Sequence, residues 1–227
     1  MTFRSVGITF AIVVLLLGGS ALITRNAASA SALIAAPAVD DSLAAQSGQE
    51  TAVIAGGCFW GIQLVFEHVK GVISATDGYS GGTVKNPGYE MVSSGTTGHA
   101  ESVKIVYDPS QITYGRLLQV FFSVAHDPTE LNRQGPDEGT QYRSVIFYGD
   151  QDQQRIAEAY IAQLDQQNAF KHKIVTQVVP LQAFYQAEAY HQDYATHNPY
   201  NTYIVMFDHP KLDNLKKTFP EFYVANR

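Results

Sequence analysis

The sequence predicts a two-layer α/β sandwich built on a split strand–helix–strand order, and three observations carry that expectation. Apolar runs of strand length alternate with stretches of helical periodicity, in the order strand, helix, strand and then strand, helix, strand. Glycine and proline turns separate them. The chain is 45% hydrophobic, with 13 Tyr and 12 Phe, enough to fill one core without help from a metal or a disulfide. Roughly the first fifty of its 227 residues differ in character from the rest, so the folded part is expected to be one domain, residues 51–227.

The N-terminus reads as a targeting segment. Arg4 and the free amine form a short basic region, Val6 to Ile23 is almost wholly apolar, and Ala28-Ser29-Ala30 or Ala30-Ser31-Ala32 fits a secretory cleavage site. Residues 1–32 are therefore expected to be a signal peptide, or an uncleaved anchor, since the apolar run just reaches bilayer-spanning length. Either way the domain is expected to be exported, periplasmic or otherwise extracytoplasmic. Residues 33–50, rich in Ala, Ser, Asp and Gln without periodicity, read as a linker.

Thr51 to Ala55 is the first expected strand, turned by Gly56-Gly57 into a helix from about Cys58 to Val69, with Phe59, Ile62, Phe66 and Val69 on one face. Gly71 closes it and Val72 to Thr76 starts a second strand. Asp77 to His99 reads as a long functional loop. In the strand Glu101 to Tyr107, Glu101, Val103, Ile105 and Tyr107 share one face. Thr113 caps a helix lined by Leu117, Phe121 and Val124. A second long loop runs from His126 to Gln141, and Tyr142 to Tyr148 is a strand. Asp150 with Gln153 makes a capping box for a helix reaching about Gln167. Ile174 to Val179 is the last expected strand, followed by a helix carrying Tyr185 and Tyr190 up to His197-Asn198-Pro199.

A net charge of -6 and no clustered Lys/Arg surface argue against a nucleic-acid partner. The only cysteine, Cys58, is an anomaly in an exported chain, where thiols are usually paired or absent. It is either a small buried hydrophobe or a reactive thiol. Its place favours the second reading, because backbone N–H groups in the first turn of a helix stabilise a thiolate, and two glycines let a substrate come close. Phe59 and Trp60 then bring aromatic faces to the reacting sulfur, unless they are plain core residues. Glu188 and His191 share a helical face, but with His197 they do not complete a metal set, so no metal is expected and the histidines read as structural.

Gly56-Gly57-Cys58-Phe59-Trp60-Gly61, Gly95-Thr96-Thr97-Gly98-His99-Ala100-Glu101 and Gly139-Thr140-Gln141-Tyr142-Arg143-Ser144 closely resemble, in that order, the motifs of A-type methionine sulfoxide reductases. The resemblance runs from about Thr51 to Pro220 and takes in His126-Asp127-Pro128 and Tyr190-His191-Gln192. It implies a ferredoxin-like α/β core and reduction of methionine-S-sulfoxide, free or in proteins, with Cys58 as nucleophile and Glu101 as proton donor. Tyr89 and Tyr142 are then the hydroxyl donors to the S–O bond, Asp137 a second carboxylate acting through water or substrate backbone, and Phe59 and Trp60 the cradle of the S-methyl group. The chemistry asks for such a set: a thiolate attacks sulfur, and the oxygen leaves poorly unless an acid protonates it. Glu101 shares its strand face with Val103 and Ile105, so its pKa should be raised.

Family members often carry C-terminal cysteines, but this chain ends Phe219-Pro220-Glu221-Phe222-Tyr223 with none, Ser93 stands where relatives often have Cys, and Pro136 where Asn is frequent. Recycling of a Cys58 sulfenic acid then needs an external thiol, from thioredoxin, glutaredoxin or a glutathione-like molecule. No bound cofactor is expected, and the chain is expected to act as a monomer. Two rivals stand against this reading. A cysteine hydrolase explains neither Glu101 nor the paired phenols, and a module that only binds oxidised peptides has no use for an activated thiol.

Overall fold

The computed structural model describes residues 34–225; the targeting segment, residues 1–32, lies outside them. In chain order the elements are β1 (Glu50–Ala55), α1 (Phe59–Glu67), β2 (Val72–Ser80), α2 (Tyr89–Ser93), β3 (Ala100–Tyr107) and α3 (Tyr114–Val120), which runs on as a π turn over Phe121–Ala125. The two-residue strands β4 (Arg133–Gln134) and β5 (Asp137–Glu138) and a 3-10 turn at Thr140–Tyr142 lead to β6 (Val145–Tyr148) and α4 (Gln151–Gln166). The chain ends with β7 (Gln177–Pro180), β8 (Phe184–Gln186), α5 (Tyr194–His197), a π turn at Ile204–Asp208 and α6 (His209–Thr218).

Six strands form one sheet in the order β7-β6-β1-β3-β2-β8. Its centre, β6-β1-β3-β2, is antiparallel throughout, which is the ferredoxin-like split βαβ arrangement: β1 and β2 flank β3 and are joined by the crossover helix α1. β7 extends the sheet in parallel beside β6, and β8 closes the other edge against β2. Side-chain alternation along β1 separates two apolar layers. Ala52 and Ile54 face the main core, shared with Phe66 of α1, Leu117 of α3 and Ile156 of α4, while Val53 and Ala55 meet Val145 and Phe147 on the opposite face.

The predicted caps form: Thr113 Oγ1 accepts from the Arg116 amide and Asp150 from the Gln153 amide, at 3.3 and 2.8 Å. The Gln153 side chain, however, reaches back to the Gly149 amide rather than to that of Asp150, so the box is displaced by one residue. The first long loop is shorter than expected, because β2 continues to Ser80 and α2 occupies Tyr89–Ser93. β6 and β7 start three residues later than expected.

Two expectations need correction. The helix expected around Tyr185 and Tyr190 is absent: Phe184–Gln186 pairs with Gly78–Ser80 as an edge strand, and the open edge of β2 outweighs the local helical propensity. Residues 34–50 do not form a free linker. Up to residue 49 they lack regular structure, as their composition implied, yet Ile34 is buried in the main core and its carbonyl accepts from Gln119. The Ala35 and Ala36 carbonyls accept from Tyr160 and Gln163, and Asp108 holds Ser47 and Gly48. Single side chains pin this strap, so no periodicity announces it.

Candidate active site

The register that sets Ile54 opposite Val103 carries Glu101 just past the end of β1, level with the turn that delivers Cys58 to the N-terminus of α1. That turn depends on Gly57, at φ +102, where a Cβ would stand 2.6 Å from the Gln134 side chain. One helical turn on, a Cβ on Gly61 would lie 2.0 Å from Asp208, so only glycine lets α1 settle onto the Asp208–Lys211 pair.

Cys58 is 8% exposed and Glu101 2%. The Phe59 amide, the first of α1, donates to Glu101 Oε2 at 3.2 Å. Burial pushes the Glu101 carboxyl up to about 8, the Phe59 amide restrains the rise, and Asp137 nearby adds to it. At neutral pH Glu101 is a carboxylic acid that keeps its proton, as the strand face and the Gly98-His99-Ala100-Glu101 motif together implied.

The Cys58 expectation needs correction on one point. Burial, then the proximity of Glu101 and Asp208, pushes its thiol well above the usual range, and the Trp60 amide and Lys211 only partly oppose them. The helix terminus does favour the thiolate, but the Phe59 amide is spent on Glu101 and desolvation is larger. The unliganded site therefore holds a thiol beside a carboxylic acid, not a resident thiolate.

The other expected residues gather here. Tyr142 ends the 3-10 turn, half-buried, and its phenol is raised by burial, then by Glu101, Asp137, Tyr89 and Cys58. The Tyr89 phenol at the start of α2 is also raised, by burial first and then by Glu101 and Cys58. Both stay protonated donors. Asp137 is half-buried and accepts from the Tyr203 hydroxyl; burial raises its carboxyl, while Tyr203 and Lys211 pull it back. Phe59 is buried, and Trp60, half-exposed, stacks on Tyr194 with ring centroids 4.0 Å apart. Ser93, in the place where relatives often have Cys, donates to the Tyr89 carbonyl.

Sequence reasoning missed Tyr203, Asp208 and Lys211. Asp208 is fully buried, 3.0 Å from Lys211 Nζ, and Tyr203 meets both Asp137 and the edge of Trp60, at 6.2 Å between ring centroids. Nothing local in the helical run beyond position 200 signals these contacts. Glu188 and His191 had been noticed for their spacing, and both lie at this site.

An acid beside a thiol, two phenol donors and an apolar aromatic wall suit a substrate with a polarised oxygen next to an apolar group. A hydrolase would need a base to draw the proton from Cys58; the carboxyl that acts most strongly on the thiol, Glu101, is instead itself protonated. The family model described as "Peptide methionine sulfoxide reductase" matches residues 50–222. Peptide methionine sulfoxide reductase MsrA 2 of Mesorhizobium japonicum is 58% identical over 79% of this chain and 92% of its own length. Among solved structures, methionine sulfoxide reductase A of Corynebacterium diphtheriae is 38% identical, covering 69% of this chain and 78% of its own, with a TM-score of 0.58. Reduced Mxr1 from Saccharomyces cerevisiae is 31% identical over 70% of this chain and 94% of its own, with a TM-score of 0.60.

Proposed function

The chain belongs to the peptide methionine sulfoxide reductase family, and from that premise we propose that Cys58 and Glu101 reduce methionine-S-sulfoxide to methionine, leaving Cys58 as a sulfenic acid. The observation that carries the mechanism is the buried, protonated Glu101 beside the only cysteine. The sulfoxide oxygen is held by the Tyr89 and Tyr142 hydroxyls and receives the Glu101 proton as Cys58 Sγ attacks the sulfur. The thiol's own proton restores Glu101. The substrate S–O bond breaks and the oxygen passes to Sγ, so methionine sulfur gains two electrons and cysteine sulfur loses two. Phe59 and Trp60 receive the S-methyl group, and Asp137 orients the substrate directly or through water.

Because Cys58 is the only cysteine, its sulfenic acid condenses with an external thiol, releasing water, and a second thiol frees the enzyme as the mixed disulfide is reduced. A thioredoxin- or glutaredoxin-like protein or a small glutathione-like thiol fills this role. Arg4 and the apolar run from Val6 to Ile23 support work outside the cytoplasm, as a monomer repairing oxidised exported proteins. N-terminal sequencing of protein from fractionated cells tests export: a mature chain starting at Ser31 or Leu33 supports it, and an intact chain recovered with the cytoplasm refutes it.

The direct test is a diastereomer mixture with and without reductant. With dithiothreitol the S epimer at sulfur is consumed and the R epimer left, since a pocket that fixes methyl and oxygen separately admits one arrangement. Without reductant, one equivalent of methionine appears per enzyme and turnover stops, with Cys58 one oxygen heavier by mass spectrometry. Equal loss of both epimers, or a yield above one equivalent, overturns the proposal.

A further inference from the structure

His191 is 2% exposed and stands among four aromatic rings, with centroids 5.0 Å from Phe59, 5.8 Å from Trp60, 4.6 Å from Tyr89 and 4.2 Å from Tyr190. Three of these rings belong to the substrate-binding set. The Trp60 indole Nε1–H donates to His191 Nδ1 at 3.2 Å, so the ring proton sits on Nε2. Nε2 has no hydrogen-bond partner and lies 4.0 Å from the Glu188 carboxylate. Glu188 in turn accepts from the Tyr79 hydroxyl at 2.9 Å and from the Tyr89 amide at 2.8 Å, fixing the start of α2.

We infer that His191, braced by Glu188, is the positioning residue of the substrate-binding wall, holding Trp60 and Tyr89 in register, and that it does so only as the neutral Nε2–H tautomer. A protonated ring has no lone pair at Nδ1, so the indole loses its acceptor and the wall its geometry. The surroundings keep the ring neutral: burial lowers its pKa below the ordinary histidine value and Glu188 opposes that only in part. The other titratable groups facing it are the phenols of Tyr79 on β2, Tyr89 at the head of α2 and the adjacent Tyr190, all raised. α1 presents Phe59 and Trp60 and no charge, so Glu188, whose carboxyl is held below its ordinary value, is the one charged neighbour.

The inference rests on the proposed reductase activity for its kinetic arm, but not for its spectroscopic one. Trp60 is the only tryptophan, so the emission comes from this one indole, and the His191 variants assign its pH dependence. Between about pH 4 and 8, wild-type emission changes in one step below the ordinary histidine midpoint. Glu188→Gln moves the step to lower pH, because it removes the charge favouring the protonated ring, and His191→Asn abolishes it. His191→Phe raises the KM for methionine sulfoxide about tenfold, the loss of one ordinary hydrogen bond, with the saturated single-turnover rate kept. His191→Asn, whose Oδ1 can stand in for Nδ1, recovers most of that loss. Emission that is flat in wild type, or titrates unchanged in His191→Asn, overturns the inference, as does a wild-type KM in His191→Phe. A wild-type protein that reduces no sulfoxide refutes the function proposed above while leaving the emission titration to decide this one.

Discussion

Two buried carboxylates from distant parts of the chain act on the Cys58 thiol, and their companions differ. Glu101 stands on a central strand, β3, contacted by a single amide and no cation, and burial leaves it protonated near neutrality. Asp208 ends the π turn that leads into α6, where Lys211 at 3.0 Å opposes the effect of burial. The first arrangement retains a proton near neutrality; the second fixes a charge pair that supports the floor of α1 through Gly61. The same division runs through the molecule. The groups proposed to react come from regular elements, the end of β3 and the head of α1. The groups that orient them, Tyr203, His191 and Glu188, come from the C-terminal stretch of short turns. Regular structure holds the chemistry rigidly, and irregular structure braces it from long range.

The sharpest way to break this comparison is to remove the stored proton. Cys58→Ser is expected to abolish reduction, whereas Glu101→Gln keeps substrate binding and slows single-turnover formation of methionine by about 100- to 10,000-fold. In wild type the rate should fall as pH rises through about 8, where Glu101 ionises. Stability follows the same sign: a carboxyl raised in the folded state contributes below its unfolded pKa, about 4.3, and loses that contribution as pH climbs through the folded value. Glu101→Gln should therefore flatten the decline in urea midpoint between about pH 4.3 and 8. A Gln variant with the wild-type rate would show that the proton comes from elsewhere.

The regular half was the legible half. Alternation along Glu101 to Tyr107 identified the strand, and the glycine turn before Cys58 marked a helix start, because both signals are local; alternation alone left Glu101 as a solvent-facing strand end, and the Gly98-His99-Ala100-Glu101 motif reversed that. Asp137 and Tyr142 sit in a loop without periodicity and were reached only through the resemblance. The C-terminal brace escaped for a physical reason: Tyr203 meets a carboxylate 66 positions away and His191 an indole 131 positions away, and such pairings leave no local pattern. Tyr185 was misread because its segment carries helix-forming residues, whereas the vacancy beside β2 decides its conformation. The thiolate expectation failed because a helix terminus is visible in sequence and the depth of burial is not.

The brace itself is tested by Tyr203→Phe, which removes one hydroxyl and keeps the ring against Trp60. Asp137 then loses the hydrogen bond that holds its carboxyl down, so its pKa rises. The expected cost is about 10- to 100-fold in kcat/KM, the size of one hydrogen bond to a charged group, with the fold intact by circular dichroism. A larger loss in Tyr203→Phe than in Asp137→Asn would move Tyr203 from orienting Asp137 to acting on the substrate directly.

The smallest effect belongs to the strap at the other end of the chain, which is irregular like the C-terminal stretch but braces a helix and not the site. Asp40 accepts from the Gly115 amide at 2.8 Å and from the Thr113 hydroxyl at 2.5 Å, so one carboxylate meets the head of α3 beside its N-cap. A negative charge there satisfies a free amide and faces the positive end of the helix dipole. Asp40→Ala removes both contacts, and a lost cap of this kind costs about 1–2 kcal/mol. For a domain of this size that lowers the melting temperature by roughly 2–8 °C. The turnover rate should stay at the wild-type value, because no site residue contacts Asp40. Scanning calorimetry beside the diastereomer assay separates the outcomes: an unchanged melting temperature would return residues 34–50 to the status of a tether. A lost rate at an unchanged melting temperature would instead mean that the strap, like the C-terminal stretch, reaches the active site.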